Sequence, residues 1–138
     1  MNSDTRVLVV EDDEDDFFLT QRELRKFGVS RVLHLDSGRA AIDYLAGHGV
    51  YGDRGKFPLP ELIFLDLKMN HVGGLEVLQW VRANPAAQAA KIYVLTGSNE
   101  PRDRELVKNS GVAAGYIVKP LSAEHLKLVF GGPAIARA

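Results

Sequence analysis

The chain has 138 residues and 46% hydrophobic content, enough for one domain with a sizeable core. Its 17 basic and 18 acidic residues leave a net charge of −1, so no global basic field draws it toward nucleic acid or an anionic membrane surface. It has no cysteine, which excludes disulfides and thiolate-held metals, and it shows no signal peptide or transmembrane run, which points to a cytoplasmic address.

The first element is an apolar, β-branched run at residues 7–10, of the kind found in a buried strand, and it enters directly into six carboxylates, Glu11 to Asp16. Phe17, Thr20, Leu24 and Phe27 follow at helical spacing, which places this charge at a strand-to-helix junction. A helix start accepts acids because unpaired N–H groups and the positive dipole end lie there, which accounts for Asp13 to Asp16 as cap and first-turn residues. Glu11 and Asp12 stand at the strand exit beside a dry core, where an unpaired carboxylate is costly, so both call for a cation. Gly28 marks the expected helix end.

A second strand is expected at 31–35, and a second helix carries the apolar pair Ile42 and Leu45. Residues 47–60, GHGVYGDRGKFPLP, read as an exposed loop, either a plain spacer or an interaction surface. Its first six residues satisfy GxGxxG, but that fingerprint needs a strand before it and a helix after it, and here the order is reversed. Strands at 62–65 and 92–95 are almost continuously apolar, as strands covered on both faces must be. Leu75 and Leu78 mark the helix between them. Gly111 closes a fourth helix, a fifth strand is expected at 116–118, and Leu126, Val129 and Phe130 stripe a fifth helix. Five βα units predict an α/β fold: a doubly wound, five-stranded parallel sheet with right-handed crossovers and helices on both faces. The single domain covers 1–138, with its core over about 6–130 and a short tail, GGPAIARA, at 131–138.

Open α/β sheets bind ligands outside the carboxyl ends of their strands. Those ends supply Glu11 and Asp12, then Asp66, then Thr96 with Gly97, then Lys119. Any one such acid is ordinarily a turn former, but three acids, a hydroxyl and an amine together describe a site. The acids are hard oxygen donors suited to Mg²⁺, an ion that keeps several waters and takes few protein ligands. That ion would hold a phosphoryl group, with Lys119 neutralising a second oxygen and the Thr96 hydroxyl donating to a third. Asp66 ends the middle strand and is the candidate nucleophile, because carboxylates can form an aspartyl-phosphate.

The stretches VVEDD, LIFLDLKM, VLTGS and YIVKP resemble, in order and across nearly the whole chain, the receiver domains of two-component response regulators. The resemblance implies a flavodoxin-like (βα)5 fold in which Asp66 accepts a phosphoryl group from a phosphohistidine of a sensor histidine kinase. It implies that Glu11, Asp12, Asp66 and the backbone carbonyl of Lys68 bind Mg²⁺, and that Thr96 and Lys119 hold the phosphoryl oxygens. Tyr116 would be the aromatic that rotates inward when Thr96 moves, and the Lys119–Pro120 bond is often cis in such proteins. The loop after the acceptor departs from the usual Met-Pro-x-x-Asp-Gly: Asn70 replaces the rigid proline and Gly73 the acid. Lys68 either reaches the acyl phosphate and alters its lifetime or points into water.

The long loop before the third strand resembles that of single-domain regulators paired with phytochrome-type light-sensing kinases, which commonly form homodimers. Output is then expected through protein contacts at the fourth helix, fifth strand and fifth helix, or through the tail lying across a partner subunit. Three other readings compete: a Mg²⁺-dependent phosphohydrolase using Asp66, which needs a nearby general acid or base where Lys68 stands; a receiver-like interaction module that works without phosphorylation; and a flavin binder of the same fold order. His34, His48, His71 and His125 lack ligand spacing and read as packing or surface residues, so no transition-metal site is expected.

Overall fold

Five strands alternate with five helices along the chain, and a computed structural model describes residues 4–131. The order is β1 (Arg6–Val10), α1 (Glu14–Lys26), β2 (Arg31–Leu35), α2 (Gly38–Ala46), β3 (Leu62–Leu65), α3 (Gly74–Ala83), β4 (Lys91–Thr96), α4 (Pro101–Ser110), β5 (Ala113–Val118) and α5 (Ala123–Phe130). Every strand pair is parallel, in the sheet order β2-β1-β3-β4-β5. The chain therefore reverses its direction of winding after β2, and the crevice at this reversal lies at the carboxyl ends of β1 and β3.

Side chains alternate across a strand, and so the unbroken apolar runs of β1 and β3 feed two separate cores. Leu8, Val10, Ile63 and Leu65 meet Ile42, Leu45, Leu78 and Val107 on one face. Val7, Val9, Leu62 and Phe64 meet Leu24, Val29, Leu121 and Leu126 on the other. Burying such a side chain contributes about 2 kcal/mol, so the two layers clamp the middle of the sheet most firmly, where the candidate site begins. β5 starts three residues earlier than its apolar signal, because Gly115 lets the backbone lie against the Tyr93 ring, where a Cβ would collide. The Lys119–Pro120 bond is cis, as the resemblance implied. The tail beyond Gly131 falls outside the described residues.

Residues 47–60 are exposed over most of their length, as expected, but they pack onto α2 rather than acting as a plain spacer. Gly47 ends α2 in the left-handed region at φ 75°, and the chain folds back so that the rings of Tyr44, Tyr51 and Phe57 pack with centroids 4.9 to 6.2 Å apart. Arg54 then donates to the carbonyls of Tyr44 at 2.8 Å, Leu45 at 3.0 Å and Phe57 at 3.3 Å, which satisfies the end of α2. Tyr44 donates its hydroxyl to Pro58 at 2.6 Å. Arg54→Ala is expected to cost about 2 kcal/mol in urea unfolding, since it strands carbonyls that water only partly reaches. An unchanged midpoint would show that the aromatic cluster alone holds the segment.

Candidate functional site

Glu11, Asp66, Thr96 and Lys119 each leave the end of a different strand, and backbone bonds between strands fix them relative to one another. The Glu11 amide donates to Leu35 at 3.0 Å, the Asp66 amide to Val10 at 3.1 Å and the Lys119 amide to Thr96 at 2.8 Å. The side chains converge on one ammonium: Lys119 Nζ lies 2.6 Å from Glu11 Oε1, 2.8 Å from Asp16 Oδ2 and 3.3 Å from Asp66 Oδ2. Asp66 Oδ1 accepts the Lys68 backbone N–H at 3.3 Å. Glu11 is 2% exposed and Asp66 is 5% exposed, so both depend on this cation.

Charge follows burial. Burial pushes the Glu11 carboxyl up to about 7, Lys119 opposes that by hydrogen bonding, and the Asp66 charge adds to it. Burial alone would lower the Lys119 ammonium, but its hydrogen bonds to Asp16 and Glu11 and the charge of Asp66 win and hold it above its ordinary value. The dry setting proposed for both Glu11 and Asp12 holds for Glu11 only. Asp12 is exposed and accepts the Asn70 backbone N–H at 3.3 Å. Even so, donor oxygens of Glu11, Asp12 and Asp66 lie within 4.8 Å of one another, an all-oxygen set with the geometry and hardness for a small divalent cation. They line a cleft of about 310 Å³ with Lys68, Thr96 and Lys119.

Two side chains go where the sequence did not place them. Asp13 caps α1 by accepting the Asp16 N–H at 2.9 Å, as expected, but the Asp16 side chain turns inward to Lys119 rather than serving only the helix start. Lys68 is largely exposed, as one of its two readings had it, but its ammonium is not free in water: Nζ pairs with Asp103 Oδ2 of α4 at 3.3 Å. Asp103 also accepts the Ser98 hydroxyl, and that bond, followed by Lys68, holds its carboxyl below the usual range. Nothing in the exposed-looking PRDRE stretch announces a buried acid.

Thr96 is fully buried, with its Oγ1 accepting the Ser98 N–H at 3.5 Å. Tyr116 donates its hydroxyl to the Ser98 carbonyl at 2.7 Å, and the Arg104 guanidinium lies 4.6 Å over its ring. Burial raises the Tyr116 phenol, so it remains a donor. Of the histidines, His34 donates from Nε2 to the Glu11 carbonyl at 2.7 Å and stacks on Phe17 at 3.8 Å, while His125 accepts the Ser122 N–H at 3.1 Å. His48 meets Asp43 at 3.1 Å, and no histidine joins a metal-binding cluster among the described residues.

The altered loop still starts α3 correctly. Gly73 is its extended N-cap, and its N–H is accepted by Glu76 at 3.1 Å. Gly74 sits so close behind the acceptor that a Cβ there would fall on the Asp66 carbonyl oxygen. Gly74→Ala is therefore expected to cost about 2 kcal/mol through forced backbone movement. Thermal unfolding of that variant checks it, and an unchanged midpoint would mean that α3 can withdraw freely from Asp66.

Residues 7–130 match the response regulator receiver domain. The probable methanogenesis regulatory protein FilR2 of Methanothrix harundinacea is 34% identical over 122 residues, which cover 88% of this chain and 76% of FilR2. The crystal structure of the Mn²⁺-bound response regulator Rcp1, a Synechocystis protein, superposes with a TM-score of 0.76 at 28% identity, over 96% of this chain and 94% of that one. The phosphorylated cyanobacterial phytochrome response regulator RcpA superposes with a TM-score of 0.78 at 25% identity, over 97% of this chain and 96% of that one.

Proposed function

Because the chain belongs to the response regulator receiver domain family, whose members accept phosphoryl groups in two-component signalling, we propose that Asp66 takes its phosphoryl group from a phosphohistidine of a sensor histidine kinase. One observation carries this reading: the Asp66 carboxylate ends the middle strand with the Lys119 ammonium on one oxygen and donor oxygens of Glu11 and Asp12 beside it. An Asp66 oxygen forms the new O–P bond as the N–P bond of the phosphohistidine breaks, and the released imidazole nitrogen takes a proton from water. Lys119 neutralises an equatorial oxygen, and the Thr96 hydroxyl donates to another.

The oxygens of Glu11, Asp12 and Asp66, with the Lys68 backbone carbonyl, would hold Mg²⁺. The bound ion supplies positive charge against the phosphoryl oxygens, the main lever in phosphoryl transfer. No general acid or base stands at Lys68, whose ammonium is engaged by Asp103, and this favours a phosphoacceptor with slow self-hydrolysis over a phosphohydrolase acting on outside substrates.

The likeness to the phytochrome regulator RcpA supports a light-sensing kinase as the phosphoryl donor, and we place this exchange in the cytoplasm. Among the described residues no helix is long and apolar enough to cross a membrane. Thr96 and Tyr116 put the responsive end of the sheet beside α4 and β5, where Leu106 and Leu128 of α4 and α5 are exposed, and we place the homodimer and target-binding surface there. Sedimentation with and without beryllofluoride, a phosphoryl mimic, is expected to show dimers; a monomer under both conditions would remove the dimer. Incubation with acetyl phosphate and Mg²⁺ is expected to load one phosphoryl group per chain, and with EDTA none. Equal loading with EDTA would contradict the metal's role.

A further inference from the structure

Lys68 joins two segments that flank Asp66 from opposite sides. Its backbone N–H is on Asp66 Oδ1, and its ammonium is on Asp103 in the first turn of α4. The two contacts differ in strength. The backbone is tied into the β3 exit, whereas the side chain is 62% exposed and held at its tip by one partner, so it can swing on its four-carbon stem. Asp103 is 10% exposed at its side chain and is anchored independently by the Ser98 hydroxyl, which also accepts the Glu100 N–H at 3.3 Å. Ser98 in turn accepts the Tyr116 hydroxyl on its carbonyl. The Lys68–Asp103 pair thus ties the β3–α3 segment to the one cluster that also holds β4, α4 and Tyr116.

We propose that Lys68 exchanges anions: it pairs with Asp103 while Asp66 is bare and moves to the phosphoryl oxygens once Asp66 is modified, cutting the tie to α4. This rests on Asp66 being the phosphoacceptor. Lys68 lines the same cleft as Asp66 and Thr96 while its ammonium rests on Asp103, so its one stem stands between the two anions. A phosphoryl group brings close to two negative charges and three acceptor oxygens, against one charge on a carboxylate already satisfied by Ser98. The Coulomb balance in the cleft therefore reverses on modification. Asp103 does not lose all its positive surroundings, because Arg102 also acts on it.

Two single variants break the same ion pair, and exchange predicts opposite results. With Mg²⁺ and beryllofluoride as the probe, binding to the full chain followed by ¹⁹F NMR is expected to be about three-fold weaker in Lys68→Met, which lacks the ammonium. In Asp103→Asn it is expected to be about three-fold tighter, because the ammonium is freed while the amide oxygen still accepts from Ser98. In the double variant the Asp103→Asn change should have no further effect. If both single variants shift binding the same way, the pair is only a structural strut and the proposal is wrong. If Asp103→Asn still tightens binding in the Lys68→Met background, its charge acts through space, and exchange is again excluded. Wild-type protein that binds no beryllofluoride would remove the Asp66 reading itself and this proposal with it. Hydrogen exchange reads the tie directly: the Arg104 amide, which closes the start of α4 on the Glu100 carbonyl at 3.2 Å, should exchange faster on beryllofluoride binding in wild type and show no such change in Lys68→Met. A rise of equal size in both proteins would overturn the relay.

Discussion

An Asp66→Asn protein is expected to fold, to take no phosphoryl group from kinase or acetyl phosphate, and to unfold at a higher urea concentration than wild type in metal-free buffer. The amide keeps the side-chain shape and its oxygen can still accept from the Lys68 N–H, but it has no nucleophilic oxygen anion. The gain in stability comes from the crowding of acids. Glu11 and Asp66 share one ammonium with Asp16, and the Asp66 charge helps to hold the Glu11 carboxyl up at about 7. Removing Asp66 costs Lys119 its longest contact while leaving the contacts at 2.6 and 2.8 Å in place, so relief of repulsion wins by roughly 1 kcal/mol. The variant should also lose most of the stabilisation that Mg²⁺ gives the wild type. Urea titrations with and without Mg²⁺ measure both effects, and a variant less stable than wild type in EDTA would show that the Asp66–Lys119 attraction outweighs the repulsion.

The second large effect belongs to Lys119. Lys119→Met keeps the apolar stem but leaves Glu11 and Asp66 buried without their cation, and breaking a buried pair from one side costs about 3 kcal/mol. Mg²⁺ should restore more stability to this variant than to wild type, because the ion can neutralise the same acids. Phosphoryl loading should fall by about two orders of magnitude even in the refolded, Mg²⁺-saturated protein, since a fixed charge aimed at the transferring group is lost. Loading at the wild-type rate would mean that Lys119 serves the fold and not the chemistry.

The sheet was legible because β1, β3 and β4 are apolar runs bounded by acids and glycines, and burial on both faces leaves no other pattern for such strands. The polar residues at their ends were legible for the complementary reason, that Glu11 and Thr96 have no place in a dry layer unless something holds them. What escaped were contacts made by residues with an adequate local explanation. Asp16 suits a helix start and Asp103 suits an exposed charged helix, so neither pointed toward a lysine 103 residues away or one on a neighbouring loop. In the 47–60 segment the glycines and prolines announced the exposure, whereas the packing of Tyr51, Arg54 and Phe57 onto α2 has no periodic signal to announce it. Asp12 was assigned to dry surroundings from its neighbour in sequence, yet the strand exit turns it to solvent.

The most direct measurement is the position of the phosphoryl group on the chain. Protein loaded with acetyl phosphate and Mg²⁺ is reduced with borohydride, which converts an aspartyl-phosphate to homoserine, and the peptides are read by mass spectrometry. A single conversion at Asp66 is the expected result. Conversion at Asp12, Asp13 or Asp16 with Asp66 untouched, or no conversion in protein that is folded and Mg²⁺-bound, would contradict the account.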